Sequence, residues 1–191
     1  MILSNQPKNG ANNLAALPTF DPGTGEILAI VETPKSSRNK YSYDPKVGAF
    51  RLGGVLSEGM SFPYDFGFIP STLGDDGDPL NVLILLDAPV LMGCLVTVRL
   101  LGVIETEQQE RDGERNRNDR LIAAATHAHT HEPIRSLEDL PSYLLTEVEG
   151  FFAQYNQLRG KHFDPIGRGD MERALILIED GRKAFEASSA Q

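Results

Sequence analysis

The run Asp75-Asp76-Gly77-Asp78-Pro79 sets three carboxylates around a glycine, directly before the apolar segment NVLILL. Hard divalent cations such as Mg²⁺ take oxygen ligands, and a turn lets neighbouring carboxylates converge on one ion. Asp, Gly and Pro also favour turns for reasons of their own, through backbone freedom, a fixed φ and local hydrogen bonds. From this run alone, a cation site and a solvated turn are both open. A second group is His127, His129 and His131, which alternate in THAHTHE. On an extended strand, alternation would line all three up on one face. Imidazoles suit Zn²⁺, Ni²⁺ or Cu²⁺ better than Mg²⁺, but the plainer reading is a polar surface loop after a strand, and we adopt it.

These groups need a scaffold, and the patterning around them is mostly that of strands. ILAIVE at 27–32 is rich in β-branched and apolar residues. YSYD at 41–44 and AFRL at 49–52 flank PKVG as the arms of a hairpin. NVLILL, CLVTVRLLGVIET and RLIAAA read as buried strands, and Asp112-Gly113 marks a tight turn between the last two. Helices come late. Pro141 suits a first helical turn, apolar residues recur at three to four from Leu144 to Leu158, and Gly160 stops the pattern. A second helix is expected over roughly 171–187. Many short strands with two late helices predict an α+β, mainly β fold: a small curled sheet or barrel with flanking C-terminal helices.

The chain has 191 residues, which fits one compact domain, and its Asn-rich start, up to about Asn13, reads as a loose arm. A net charge of −9 argues against a nucleic-acid partner, whose phosphates require clustered Lys and Arg. It leaves a phosphate substrate open, because an acidic site can load divalent cations first. The most apolar stretch, 82–104, is interrupted by Asp87, Pro89, Gly93 and Arg99, which argues against a membrane span. MILSNQPKNG lacks the pattern of a signal peptide. The single cysteine, Cys94, allows no internal disulfide and reads as a core residue in a reducing, cytoplasmic setting.

Six segments, in order, resemble the soluble inorganic pyrophosphatases: VETPK at 31–35, KYSYD at 40–44, FPYDFGFIP at 62–70, DGDPLNVLIL from Asp76, RLLGVIE at 99–105 and FFAQYNQLRGK at 151–161. The resemblance spans about 27–161. It implies an OB-like curled barrel of about five strands, a homo-oligomer (a hexamer), and Mg²⁺-dependent splitting of pyrophosphate into two phosphates, with Mn²⁺ or Co²⁺ as alternatives. By position it implies that Asp76 is a metal ligand and that Asp78 is a ligand or the base that orients water. Glu32 would contribute through a metal-bound water, and Lys40, Tyr155 and Arg120 stand at catalytic, phosphate-side positions.

The departures from that family are as specific. Asn81 stands where the family has an acidic metal ligand, and can still offer a neutral oxygen. Ser42 replaces an acid, Gly53-Gly54 an Asp-Arg pair, Gln108 and Asn118 two aspartates, and Asn156 a phosphate-binding lysine. Glu107 and Asp119 lie one position from the lost acids, and could compensate only through a bulge or loop, since a one-residue shift reverses the face. Three readings follow: a pyrophosphatase with a divergent site, a hydrolase of another phosphoanhydride, or a catalytically degenerate module that binds phosphate or nucleotide ligands.

Overall fold

The computed structural model describes residues 13–189, so the arm expected over 1–13 lies, except for Asn13, outside the described residues. Nine strands and two helices follow in chain order. They are β1 (Ile27–Thr33), β2 (Asn39–Asp44), β3 (Ala49–Val55), β4 (Asp65–Phe68), β5 (Asn81–Leu85), β6 (Leu95–Gln109), β7 (Arg115–Arg117), β8 (Arg120–Ala125), α1 (Ser142–Leu158), β9 (His162–Gly169) and α2 (Met171–Ser189).

Hydrogen-bonded pairing runs β1-β4-β5-β8-β6, and β6 pairs again with β1, so five strands form a curled ring. The 15-residue β6 makes this possible. Its first half is shared between β1 and β8, and its second half between β7 and β9. β5 and β8 run parallel, with Asn81 opposite Arg120. β2 and β3 form the separate hairpin that PKVG predicted.

The apolar runs are continuous because both faces of the sheet are covered. Val82, Ile84, Leu121 and Ala123 pack with Ala174 and Ile178 of α2. Their alternates Leu83, Leu85, Ile122 and Ala124 pack with Leu144, Val148 and Phe152 of α1. Cys94 is half-buried against the first of these clusters. At Gly67 the backbones of β1 and β4 approach so closely that a Cβ would fall 1.8 Å from the Ile30 carbonyl oxygen. No other residue type fits there. Gly160 ends α1 at φ 72°, as its position after the apolar pattern predicted.

Two irregularities turn side chains toward one side. In the β1–β4 ladder the register shifts between Val31 and Thr33, which leaves Glu32 as the extra residue. A bulge of this kind re-aims the side chain it carries. In the β2–β3 ladder the register shifts between Lys40 and Tyr41, with Lys40 opposite Gly54 and Gly53 extra.

Candidate active site

A cleft of about 880 Å³ lies between β2, the 75–79 turn, the distal half of β6 and the last turns of α1. Glu32, Lys40, Asp76, Asp78, Asn81, Arg120 and Tyr155 all line it, so the fold gathers residues that are up to 123 positions apart in the chain. Its floor is aromatic. Phe62, Phe66 and Phe152 line it, tilted against one another, with Phe163 stacked on Phe152 behind them, centroids 5.6–5.8 Å apart.

The cations sit on that floor. Lys40 Nζ lies 4.7 Å above the Phe66 ring and donates to Glu32 Oε2 at 3.2 Å and to the Tyr41 carbonyl at 2.6 Å. Burial pulls its ammonium below the usual lysine range, and the facing Glu32 carboxylate pulls it back up. The other oxygen of Glu32 accepts the Tyr43 N–H at 2.7 Å. Both oxygens of the bulged acid therefore accept a hydrogen bond from its own chain.

Arg120 is buried, its guanidinium 5.2 Å from the Phe152 ring and 5.9 Å from the rings of Phe66 and Phe163. One Nη donates to the Asn118 side-chain oxygen, while Nε has no partner. Burial pulls the group down to about 10, with the Asp76 and Asp119 carboxylates opposing the shift. It is still a cation at neutral pH. Among the described residues no carboxylate forms an ion pair with it.

The opposite wall carries the 75–79 turn. Asp76 Oδ1 accepts the Asp78 N–H at 3.1 Å, which closes the turn. Enclosure raises the Asp76 carboxyl above its ordinary value, and the Asp78 charge adds to that. Among the described residues neither Asp76 nor Asp78 is ion-paired. Tyr155 rises from α1, and burial raises its phenol as well.

Between these walls, at the positions where the resemblance led us to expect acids, lies a chain of amides. Asn81 Nδ2 donates to Asn118 Oδ1 at 3.1 Å, and Asn118 Nδ2 to Gln108 Oε1 at 3.5 Å. Gln108 Nε2 then donates to Glu110 at 2.5 Å, and Lys161 closes on Glu110 at 2.6 Å. The oxygens of Asn118 and Gln108 are spent within this chain, while that of Asn81 accepts no hydrogen bond among the described residues. Among the described residues no group of three or more His, Cys, Asp or Glu side chains is arranged to hold a metal ion. The donor set therefore fits one hard cation on Asp76 and Asp78, with the neutral Asn81 oxygen also unspent, and falls short of the carboxylates that a bridged cluster of several takes.

The neighbouring acids do not make up the difference. Asp119 turns away to accept the Thr106 N–H at 2.8 Å and Arg117 at 2.9 Å, and Glu107 lies 3.8 Å from Arg115. Arg117 is held by Glu105 and Asp119, and Arg51 by Asp44 at 2.5 Å, so none of these three arginines enters the cleft. Asn156 is buried and donates to the Phe152 carbonyl. Glu110 and Arg159 are among the cleft residues not singled out from the sequence. Glu110 gave no signal, being one polar residue in a polar hairpin. Arg159 gave one, since it lies four residues after Tyr155 on the same helix face.

The histidine row does not form a face, because the chain turns at Thr126–His127 instead of continuing as a strand. Asp87 organises the loop, accepting the His129 N–H at 2.7 Å and the Thr130 N–H at 3.0 Å. Those bonds, with the Thr130 hydroxyl, hold its carboxyl down at about 2. The loop lies outside the cleft. Replacing His127, His129 and His131 together by Ala should leave phosphate release from pyrophosphate within a few-fold of the parent. A collapse that Zn²⁺ repairs only in the parent would show the row to be a site.

A family model described as inorganic pyrophosphatase matches residues 29–186. The inorganic pyrophosphatase of Synechocystis sp. is 34% identical to this chain over 91% of it and 99% of its own length. That of Leifsonia xyli is 38% identical over 83% and 94%. The crystal structure of the Thermus thermophilus inorganic pyrophosphatase superposes with a TM-score of 0.82 at 33% identity, covering 91% of this chain and 99% of that one.

Proposed function

We infer the chemistry of the cleft from one premise: the chain belongs to the inorganic pyrophosphatase family, whose reaction is the hydrolysis of pyrophosphate to two phosphates. One observation supports the assignment of roles. Among the described residues, the cleft has a buried guanidinium with no ion-paired carboxylate on one wall, and two carboxylates with no ion-paired cation on the other. A pyrophosphate accompanied by Mg²⁺ supplies both missing partners, its phosphoryl oxygens to Arg120 and its ion to Asp76 and Asp78. Mn²⁺ or Co²⁺ would serve the same two carboxylates.

In the reaction a water oxygen bonds to one phosphorus, the bridging P–O bond breaks, and the bridging oxygen leaves with the second phosphate. When bound, the cation would lower the pKa of water and neutralise phosphoryl charge. Asp78 orients the attacking water and receives its proton. Lys40, held by Glu32 above Phe66, and Arg120 meet the phosphoryl oxygens, and Tyr155 bounds the site from α1. Glu32 positions Lys40 through one oxygen, and its carboxylate keeps lone pairs for a metal-bound water. Asn81 contributes no charge, so the cation is held more weakly than it would be with an acid at that position.

A phosphate-release assay on pyrophosphate, run in parallel with Mg²⁺, Mn²⁺ and Co²⁺, tests this reading. Release with at least one ion is expected, together with a rise in melting temperature of the same protein in millimolar Mg²⁺. Phosphate binding without release would instead favour the degenerate binding module, to which the amide chain lends some support. Cytoplasmic location and assembly as a homo-oligomer, a hexamer, belong to the same proposal. No described helix is long and apolar enough to cross a membrane, and Leu52, Val55, Leu91 and Leu95 leave apolar surface exposed for a second copy. A monomer in sedimentation at micromolar concentration would remove the assembly.

A further inference from the structure

We propose that Arg159 is a phosphate-binding cation of this cleft, and that Gly54 is the gap that admits it; this rests on the hydrolytic reading above. Arg159 caps the C-terminal end of α1, and its guanidinium lies over the Tyr155 ring, 5.3 Å from the centroid. The side chain lines the cleft, and no carboxylate among the described residues pairs with it. It is thus a second cation whose charge the fold leaves unmatched, beside Arg120. Lys161, two residues on, differs: Glu110 already holds it at 2.6 Å.

What places Arg159 is an absence of bulk across from it. A Cβ built on Gly54 would stand 2.7 Å from Arg159 Nη1, so any side chain there would displace the guanidinium. Gly54 is not at a positive φ, and its backbone conformation does not call for glycine. It pairs with Lys40 across the β2–β3 ladder, and paired residues share a face, so the guanidinium meets the hairpin on the Lys40 side. Arg159, Lys40 and Arg120 thereby surround one end of the cleft. A guanidinium held over an aromatic ring still offers its planar fork of N–H donors, which suits two oxygens of one phosphate.

The test compares the parent, Arg159→Ala, Arg159→Lys and the double variant Gly54→Arg/Arg159→Ala. Inorganic phosphate is the probe, followed by calorimetry, and pyrophosphate hydrolysis is measured separately. Arg159→Ala is expected to weaken phosphate binding about tenfold or more and to raise KM for pyrophosphate in parallel. Arg159→Lys should recover part of the loss. The double variant should recover more than Arg159→Ala alone, because it returns a guanidinium to the same space from the opposite wall. Melting temperatures should stay together, since the residue is partly exposed at a helix end. Unchanged phosphate affinity in Arg159→Ala overturns the proposal, whatever happens to turnover. A parent that binds phosphate through Arg159 yet releases none from pyrophosphate would overturn the hydrolytic reading and leave this one standing.

Discussion

Asp78→Asn is expected to cut turnover on pyrophosphate by about 100-fold or more, the scale of losing a general base, with little change in melting temperature. The substitution keeps the shape of the side chain and removes its charge and its basic oxygen. Asp78 is exposed at the rim of the cleft, and no hydrogen bond among those of the described residues ends on its carboxylate. The turn is closed by its backbone N–H, which asparagine retains. Folding therefore has little to lose, while a water oriented by Asp78 as proposed would lose its acceptor. Circular dichroism melts and steady-state kinetics on the same preparation separate the two. Parental turnover in Asp78→Asn would remove this residue from the mechanism.

The contrast with Asp76 sharpens that expectation. Asp76 spends one oxygen on closing the turn, so its replacement would disturb geometry and charge together. Asp78 spends none. Of the two acids, it is the one whose loss reports on chemistry alone.

Much of the scaffold was legible because period and punctuation agreed. Ile27–Thr33, Asn81–Leu85 and Arg120–Ala125 are short apolar runs buried on both faces, and Gly160 falls where α1 stops. β9 was not legible. HFDPIGRG carries Pro165, two glycines and no alternation, and it forms a strand because β6 extends past its other partners and offers a free edge. The proline sits beside a register shift, where a missing N–H is tolerated. β4 was hidden for another reason: DFGF is four residues long, and Gly67 is there to let β1 approach rather than to turn.

The cleft shows the same division. Residue types and order could name its members, because a family resemblance fixes positions along the chain. What those members do to one another is set by contacts between distant strands. Glu32 reaches the cleft only through a bulge, and is then held by Lys40 and the Tyr43 N–H. Asn81, Gln108 and Asn118 each looked like a separate lost acid, and only the parallel pairing of β5 with β8 beside β6 joins them into one hydrogen-bonded chain. Arg159 needed a fact about Gly54, over 100 residues away.

That amide chain makes Asn81→Asp the more discriminating of the two large-effect substitutions. A carboxylate at this position would line the same cleft as Asp76 and Asp78 and add a full charge to the donor set proposed for the cation. The Mg²⁺ concentration for half-maximal activity should fall about tenfold, equivalent to roughly 1.4 kcal/mol. The new carboxylate has a competitor for its charge, because Arg120 lies directly across the parallel ladder. Arg120 is already seated on three phenylalanine rings and bonded to Asn118, so it has little freedom to swing toward position 81. The Asn118 amide is held on both sides, accepting from Arg120 and donating to Gln108, so its oxygen would face the new carboxylate, and a bound cation relieves that repulsion. The cation should therefore gain more than the arginine does. Two measurements distinguish the outcomes: Mg²⁺ titrations of activity, and melting temperatures in chelator. A lower Mg²⁺ requirement with an unchanged melt in chelator supports the cation site on the 75–79 turn. A higher melt in chelator with an unchanged Mg²⁺ requirement would mean that Arg120 had captured the charge. Position 81 would then belong to the phosphate side of the cleft, and the metal role given it by resemblance would be wrong.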